Sequence, residues 1–309
     1  MAKSKPSSAT APLFSIIIAV YNDWIPLDCC LRSLPEGTNA PSFEVIIVDD
    51  GSREPAPEFI RRWASSYPLT VVRQPHEGIA AARNRGIQIS RGSVMLFVDA
   101  DCKLQTDCLT TLASTIRDSP QHHCFQLHLT GDCSGLVGRA EELRLDTLQN
   151  HMLQPNGCIR YLNTSGFAIR RESVEIERGL FDPAAIRAED TLLLANLMRG
   201  GELPLFVSDA IVQHAIPLSL MECLRKDIRS AYWEGRTFDR IASMGVRIRA
   251  SHRERLGMMS SMWKASRRPS IGRLAWFVLL ARLGLGRIVS VACSCFRLWP
   301  SSPGPARSS

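Results

Sequence analysis

The sequence has neither the cysteine spacing of a zinc site nor the composition of a non-globular chain. Its ten cysteines are scattered along 309 residues, without a CxxC pair or a Cys/His cluster of zinc-site spacing. Hydrophobic residues make up 45% of the chain and charged residues 22%, which excludes a wholly disordered chain, a collagen-like chain and a pure coiled coil. The length fits two domains, or one larger α/β domain with an appendage.

A secretory signal is also missing from the start of the sequence. Residues 1–12 are polar and rich in Ala, Ser and Pro, whereas a signal peptide has a charged segment followed by an apolar run. We therefore expect a cytoplasmic protein with reduced thiols.

Acidic residues are almost absent from the end of the chain. Residues 240–309 contain 13 Lys and Arg but one acid, Glu254, a net charge of +12. The rest of the chain carries −5 of the total of +7, so the high pI is no argument for nucleic-acid binding by the main domain. The basic tail is either a solvated appendage or a segment attracted to an anionic membrane surface.

No apolar run is long and continuous enough to favour a membrane span. The run that starts at Leu274 is broken by Arg282 and Arg287, and a spanning helix needs about 20 mostly apolar residues. Segment 271–299 is therefore a candidate helix with two alternatives. It either lies in the membrane interface, with Lys and Arg side chains reaching the headgroups, or packs on the protein itself.

The first 130 residues alternate strand and helix signals. The strand signals are continuous apolar runs, which are typical of strands covered on both faces, and helix-length segments lie between these runs. Strands that alternate with helices predict an α/β fold with a mainly parallel, doubly wound, Rossmann-like sheet. The predicted strands are 14–20, 43–48, 69–72 and 94–98, and the predicted helices lie at about 24–34, 56–66 and 77–90.

Polar residues follow three of these strands. They are Tyr21-Asn22-Asp23, Asp49-Asp50-Gly51-Ser52 and Asp99-Ala100-Asp101. In open parallel sheets, ligands collect beyond the carboxyl ends of the strands. Each segment alone is more often a turn or a helix cap. Carboxylates gathered without neutralising bases, however, favour a hard divalent cation, Mg²⁺ or Mn²⁺.

Beyond residue 130 the alternation becomes irregular. Leu136–Leu153 has the pattern of an amphipathic helix, and residues 163–170 have that of a strand leading into a short helix. Ala188-Glu189-Asp190 opens a helix, where two acids suit the positive end of the helix dipole. Two short predicted strands, 205–207 and 210–213, lead to His214.

With these motifs in view, the sequence resembles the family 2 glycosyltransferases, which have the GT-A fold. The likeness spans about residues 14–214, in the family's order and spacing. A lone DxD triplet would be weak evidence, but VDDGS, ARN, VDAD and AED together are specific. The segments that carry the likeness are SIIIAVYND (15–23), EVIIVDDGS (44–52), HEGIAAARNRGI (76–87), VMLFVDADC (94–102), NTSGFAIRRE (163–172), GLFDP (179–183), AEDTLLLANLMRGG (188–201) and VQH (212–214).

The resemblance implies a nucleotide-sugar site at the strand ends. The positions that match the nucleotide-binding part of the family are Ala19, Tyr21 and Asn22, with Asp49 or Asp50 accepting a hydrogen bond from the base, Arg83 near the base and the diphosphate, and Asp99.

The resemblance also implies the catalytic groups. Asp99 and Asp101 form the DxD motif, one reaching the ribose and the other coordinating the metal that bridges the two phosphates. His214 matches a histidine near that metal. Asp190, with Glu189 beside it, matches the general base.

These roles imply an inverting, metal-dependent glycosyltransferase. Its partners are a nucleoside diphosphate sugar and an acceptor with a free hydroxyl, and its biosynthetic product is a cell-surface glycan, a glycolipid or a polysaccharide. The alternative is a non-catalytic nucleotide-sugar-binding or membrane-tethered assembly module. Nucleotidyl transfer is disfavoured, because it would need a Gly-rich basic loop where Tyr21-Asn22-Asp23 stands.

We expect three parts along the chain. They are a polar N-terminal tail (1–12), a GT-A domain (13–217) and a helical, basic C-terminal extension (218–309) that contains the candidate interface segment 271–299. Through this extension we expect peripheral binding to the inner face of the cell membrane, and we expect no nucleic-acid partner.

Overall fold

The computed structural model describes residues 11–35, 40–214, 219–248 and 250–296, with the backbone alone at 232–236 and 290–296. The chain divides into two compact units. The first is built from Met1–Leu129, Leu162–Pro183 and Pro204–Ala215, and the second from Thr130–Tyr161, Ala184–Leu203 and Ile216–Ser309. The predicted boundary at residue 217 stays a prediction. Most of the polar N-terminal tail, and residues 297–299 of the candidate interface segment, lie outside the described residues.

A sheet of eight strands forms the centre of the first unit in the described part of the chain. The strands are β1 (Phe14–Val20), β2 (Phe43–Asp49), β3 (Leu69–Arg73), β4 (Val94–Phe97), β5 (Cys102–Leu104), β6 (Cys124–Thr130), β7 (Phe167–Arg170) and β8 (Leu205–His214). Their order is β3-β2-β1-β4-β7-β6-β8-β5. The first four strands of this order pair in parallel, and the predicted α/β class is confirmed.

The parallel half forms because its strands are apolar on both faces. Ile17 of β1 lies opposite Ile46 of β2 and Phe97 of β4, and all three side chains are buried. Burial of such side chains stabilises the fold by about 1.5–3 kcal/mol each. The helices of this unit are α1 (Trp24–Arg32), α2 (Phe59–Ser66), α3 (Ile79–Ile89) and α4 (Cys108–Asp118).

Two of these helices begin later than the sequence pattern predicts. Helix α2 begins at Phe59 instead of residue 56, since Pro57 disfavours a helical conformation at the residue before it. Helix α3 begins at Ile79, after Gly78 with φ +95°, a conformation outside the right-handed helical region.

The other half of the sheet is antiparallel. Strand β7 pairs antiparallel with β4 and with β6, and β5 pairs antiparallel with β8. Strand β8 is continuous over ten residues, where the sequence predicted two short strands, because the polar residues Ser208 and Asp209 occupy exposed positions within it. A 3-10 turn, Thr164–Gly166, occupies the start of the segment predicted as a strand. Strand β7 follows it, and a second 3-10 turn, Arg171–Ser173, comes directly after β7.

The second unit is helical. Its helices are α5 (Leu136–Met152), α6 (Glu189–Arg199), α7 (Leu220–Ser243), α8 (His252–Ala265) and α9 (Arg273–Phe296). Helices α7 and α8 each begin with a capping box, Ser219 with Glu222 and Ser251 with Glu254, which satisfies backbone N–H groups at the helix start. A core cluster joins α5, α8 and α9 through Ala140, Leu143, Met262, Ile271, Ala275 and Leu279.

Helix α9 has one face packed in this unit. Arg282 lies on that face, and its guanidinium donates to Asp227 of α7 at 2.7 and 3.1 Å and to Glu141 of α5 at 3.3 Å. Of the two alternatives for segment 271–299, Arg282 follows the second, because two carboxylates hold its side chain inside the unit. Within the described residues, the helices fall short of the length and apolarity that crossing a membrane requires.

Candidate active site

The three polar segments lie where β1, β2 and β4 end. Because these strands run parallel, their carboxyl ends meet at one edge of the sheet. The loops after β1 and β2 are joined by direct hydrogen bonds. The Asn22 N–H donates to Ser52 Oγ at 2.9 Å, and the Arg53 N–H donates to Asn22 Oδ1 at 2.9 Å. Asn22 has φ +61°, which asparagine tolerates better than most residues.

Asp49 and Asp50 have different partners. Asp49 Oδ1 accepts the Ser52 N–H at 2.8 Å, and Asp49 Oδ2 lies 3.6 Å from Arg73 Nε. Asp50 is also buried, and its carboxylate organises the loop of residues 74–78. The groups facing that carboxylate are Gln74 Nε2 (2.8 Å), His76 Nδ1 (2.8 Å), the Glu77 N–H (3.0 Å) and the Gly78 N–H (2.9 Å).

An aromatic pair lies beside these loops. The ring of Tyr21 stacks on His76, with ring centroids 4.1 Å apart and planes 20° apart, and both side chains are exposed. Gly51 permits this approach of residue 76, because a Cβ on residue 51 would lie only 2.8 Å from the backbone nitrogen of His76. Gly51 also has a φ of +78°, which favours glycine. Ala19 of β1 lies opposite Val48 of β2 and is half-buried.

Arg83 of α3 connects to the DxD segment. Its side chain is 3% exposed, and its Nη2 donates to Asp99 Oδ1 at 2.8 Å. The other oxygen of this carboxylate, Oδ2, accepts the Ser165 hydroxyl at 2.6 Å. Asp99 is thus neutralised by a buried base, which the sequence pattern did not reveal.

Asn84, the next residue along α3, fixes the segment that supports Arg83. Its amide oxygen accepts the N–H groups of Leu180 and Phe181 at 3.0 Å each, and its amide nitrogen donates to the Phe181 carbonyl at 2.7 Å. The Phe181 ring in turn lies 5.5 Å from the guanidinium carbon of Arg83, within the range of a cation–π contact.

Asp101 faces His214. Asp101 Oδ1 lies 3.7 Å from His214 Nδ1, and both side chains are half-buried. The register of β5 and β8 places Cys102 opposite His214, which explains how residues so far apart in sequence meet. Cys102 is fully buried. This burial, together with the charges of Asp101 and Asp99, raises the pKa of the Cys102 thiol well above its ordinary value.

The donor set at Asp101 fits a divalent cation. An oxygen and a nitrogen donor face each other across a half-buried gap. Carboxylate oxygens suit Mg²⁺ and Mn²⁺, and imidazole is a common ligand of first-row transition metals. The predicted neighbours Asp101 and His214 are therefore brought together by the fold.

Glu189 and Asp190 belong to the second unit, where they form the first turn of α6. Ala188 precedes them with φ +59°, a strained conformation for a residue with a Cβ. Asp190 Oδ1 accepts the Thr191 N–H at 2.6 Å and the Thr191 hydroxyl at 3.2 Å. Glu189 is buried and Asp190 half-buried, so the structure keeps the two acids in different surroundings. Their catalytic roles stay predictions.

Sequence reasoning missed four residues of this region. Ser165, Asn84 and His76 all lie in segments that carry the family likeness, but their partners are distant in the chain, and local pattern does not reveal such contacts. Cys102 follows the DxD segment directly and was counted among the scattered cysteines. Its alignment with His214 depends on the pairing of β5 with β8.

Comparison with known proteins agrees with this fold and these motifs. The model of Glycosyl transferase family 2 matches residues 15–176. The chain is 34% identical over 112 residues to the glycosyltransferase AglE of Haloferax volcanii, covering 35% of this chain and 37% of that protein. It is 34% identical over 109 residues to a PGL/p-HBAD biosynthesis glycosyltransferase of Mycobacterium bovis, covering 34% and 42%. The matches thus span about two fifths of these relatives' length.

Solved structures with a similar fold cover most of the chain. The mannosyltransferase PcManGT of Pyrobaculum calidifontis, in complex with GDP-Man and Mn²⁺, has a TM-score of 0.59 at 17% identity and covers 93% of this chain and 89% of its own. The TarS 1–349 structure of S. aureus, in complex with UDP, has a TM-score of 0.53 at 18% identity and covers 92% and 91%. Because the family match covers more than half of the 309 residues, this chain belongs to Glycosyl transferase family 2.

Proposed function

We propose that this protein is an inverting, metal-dependent glycosyltransferase that moves a sugar from a nucleoside diphosphate donor to an acceptor hydroxyl. Its product would belong to a cell-surface glycan, a glycolipid or a polysaccharide. The observation that carries the proposal is the arrangement of polar side chains at the carboxyl edge of the parallel strands. Arg83, Asp99 and Ser165 form one hydrogen-bonded network there. Two residues after Asp99 in the sequence, Asp101 faces His214.

The donor would bind along this edge. The exposed Tyr21–His76 pair offers a flat aromatic surface for a base, with Ala19, Asn22, Asp49 and Asp50 in or beside the loops that carry it. Asp99, which Arg83 and Ser165 hold on both oxygens, would accept a hydrogen bond from a ribose hydroxyl. The structural neighbours support this class of ligand, since PcManGT was solved with GDP-Man and TarS with UDP-GlcNAc.

The cation, Mg²⁺ or Mn²⁺, would be held by Asp101 and His214. Of the two DxD acids, Asp101 is the better candidate ligand, because its carboxylate lies 3.7 Å from His214 Nδ1, whereas Arg83 and Ser165 hold the two oxygens of Asp99. When bound, the ion supplies positive charge that stabilises the diphosphate leaving group.

Asp190 would act as the general base. The acceptor oxygen forms a bond to the anomeric carbon while the bond from that carbon to the diphosphate oxygen breaks and its electron pair leaves with the diphosphate. The hydroxyl proton passes to the Asp190 carboxylate. A single displacement of this kind inverts the configuration at the anomeric carbon, with Glu189 beside the base as a supporting acid.

Nucleotide release from a donor panel tests the proposal. We expect the full chain to release free nucleotide from one of UDP-glucose, UDP-GlcNAc or GDP-mannose in the presence of Mn²⁺ or Mg²⁺. Removal of the metal by EDTA is expected to lower the rate at least about 100-fold, because the leaving-group charge is then uncompensated. Mass spectrometry of the product would report the nucleotide and the sugar.

Calorimetry separates this function from that of a non-catalytic binding module. UDP and GDP are titrated into the protein with and without Mn²⁺. Binding without release from any donor, over a panel of lipid and saccharide acceptors, would favour the module and contradict the proposed enzyme.

We further propose that α9 binds an anionic bilayer surface, on the inner face of the cell membrane. The face of α9 opposite its packed residues carries Leu274, Phe277 and Ile288, which are 62%, 54% and 67% exposed. These residues fall at helical spacing on one stripe. Exposed basic side chains, Lys264 and Arg267 of the preceding segment and Arg287 of α9, supply charge complementary to anionic headgroups.

Substitutions on this stripe test the membrane proposal without opening the core. The double variant L274S/F277S is expected to bind vesicles of phosphatidylglycerol and phosphatidylcholine about 10- to 100-fold more weakly. The reason is that the variant loses the favourable free energy of transferring two apolar side chains from water into the bilayer. Sedimentation measures the bound fraction. The matched control is I25S, since Ile25 is 86% exposed in the first unit. Equal binding by the double variant and the wild type would exclude α9 as the contact.

A further inference from the structure

Three different donor atoms lie at the corners of one triangle beside the DxD segment. Asp101 Oδ1, Cys102 Sγ and His214 Nδ1 are each 3.7 Å from the other two. Among the described residues, this trio is the one group of His, Cys, Asp and Glu side chains close enough to share an ion. The cluster therefore contains a sulfur donor in addition to the oxygen and nitrogen expected from the family likeness.

The backbone fixes this arrangement. Cys102 is the first residue of β5 and lies directly opposite His214, the last residue of β8. Asp101 precedes Cys102 in the chain, so its carboxylate reaches the same end of the strand pair. The thiol is fully buried, whereas Asp101 and His214 are half-buried. An ion entering between the two half-buried donors would meet the sulfur on its inner side.

The chemistry of the three donors determines which ions they prefer. Carboxylate and water oxygens suit Mg²⁺ and Mn²⁺, and imidazole suits Zn²⁺, whereas a thiolate shifts the preference toward softer ions. Zinc is bound in proteins by Cys sulfur, His nitrogen and carboxylate oxygen. A site with one donor of each kind is thus better matched to Zn²⁺ or Co²⁺ than to Mg²⁺.

We propose that Cys102 is a third metal ligand, and that Asp101, Cys102 and His214 bind Zn²⁺ or Co²⁺ more tightly than Mg²⁺. This inference rests on the metal site of the proposed glycosyltransferase. It deepens that proposal, because it specifies which class of divalent ion the site binds more tightly. Zn²⁺ would then compete with Mg²⁺ for the site.

Cobalt absorption tests the sulfur ligand directly. A thiolate bound to Co²⁺ produces a charge-transfer band in the near ultraviolet, whereas oxygen and nitrogen ligands alone do not. The full-length protein is expected to develop this band with one equivalent of Co²⁺, and one equivalent of Zn²⁺ is expected to remove it. C102S and C102A are both expected to lack the band and to bind Co²⁺ about 10- to 100-fold more weakly, with Mn²⁺ affinity changed far less.

The matched control is C108S, which removes another buried thiol whose surroundings supply desolvation without neighbouring charges. It is expected to keep the band. Circular dichroism of each variant reports the fold, and the wild-type spectrum alone is decisive if a variant misfolds. Co²⁺ binding without a band, a band that persists in C102S, or no Co²⁺ binding by the wild type would each overturn the inference. Nucleotide release with Mn²⁺, measured separately, tests the proposed function independently of the band.

Discussion

Replacement of Asp190 by Asn is expected to lower the rate of sugar transfer by about 100- to 10,000-fold, the range that general bases contribute. The amide cannot take the proton of the acceptor hydroxyl at neutral pH. It does keep an oxygen that can accept the Thr191 N–H, which Asp190 Oδ1 accepts at 2.6 Å. Because the amide oxygen can still accept a backbone N–H in the first turn of α6, we expect the fold to be retained and the chemical step to be lost.

Two companion variants give this result its meaning. D209N removes an exposed carboxylate from β8 and is expected to transfer sugar at the wild-type rate. E189Q changes the buried acid beside Asp190 and is expected to have a smaller effect than D190N, since the resemblance assigns the proton to Asp190.

Single-turnover transfer and calorimetric nucleotide binding are measured on the same preparations. D190N is expected to bind the nucleotide with unchanged affinity. Full transfer by D190N, or a larger loss in E189Q, would remove Asp190 from the role of base.

Much of the fold follows from local pattern. The strands β1, β2 and β4 are continuous apolar runs, and their parallel pairing follows from the helices between them. Helix starts depend on single residues, and Pro57 and Gly78 shift α2 and α3 by two or three positions. Strand β8 was split in the prediction because an exposed Ser208-Asp209 pair resembles a turn in sequence, although it continues a strand in the sheet.

The site was predictable to the extent that parallel strands end at one edge. Tyr21, Asn22, Asp50, Asp99 and Asp101 were expected there because each comes at or just beyond the end of its strand, and the structure places them so. The approach of His214 to Asp101 was implied by the family resemblance alone. It depends on the antiparallel pairing of β5 and β8, which joins residues 112 positions apart, and no periodicity in either strand encodes that register.

Buried pairing was the part that pattern could not supply. The sequence showed acids gathered without bases, yet Arg83 neutralises Asp99 from a helix 16 residues earlier. Ser165 completes the pair from the far side, 66 residues later. These contacts hold Asp99 on both of its carboxylate oxygens, and they depend on side-chain packing across three separate elements.

Loss of Arg83 is expected to have the second large effect, on stability and on donor binding together. The R83A variant removes the positively charged guanidinium that pairs with the Asp99 carboxylate. Removing one partner of a buried ion pair typically costs 3–5 kcal/mol. Because Asp99 is 31% exposed and water compensates part of its charge, we expect a loss of about 2–3 kcal/mol in the free energy of unfolding. Nucleotide affinity is expected to fall about 100-fold, because the charge-assisted contact to the diphosphate that the resemblance assigns to Arg83 would be lost.

Three matched variants distinguish these effects. R85A removes an exposed arginine from the same helix, where its partner is Gln88 at 3.3 Å, and is expected to change stability by less than about 0.5 kcal/mol. S165A removes the hydroxyl that donates to Asp99 while keeping Arg83, so a loss of about 1–2 kcal/mol is expected. R83K keeps the charge without the planar fork and is expected to lie between R83A and the wild type. Urea unfolding measures the free energy of unfolding, and calorimetry with UDP and GDP measures the nucleotide affinity. An R83A protein that is as stable as R85A and binds nucleotide as tightly would contradict the proposal that the buried Arg83–Asp99 pair holds Asp99 for the donor.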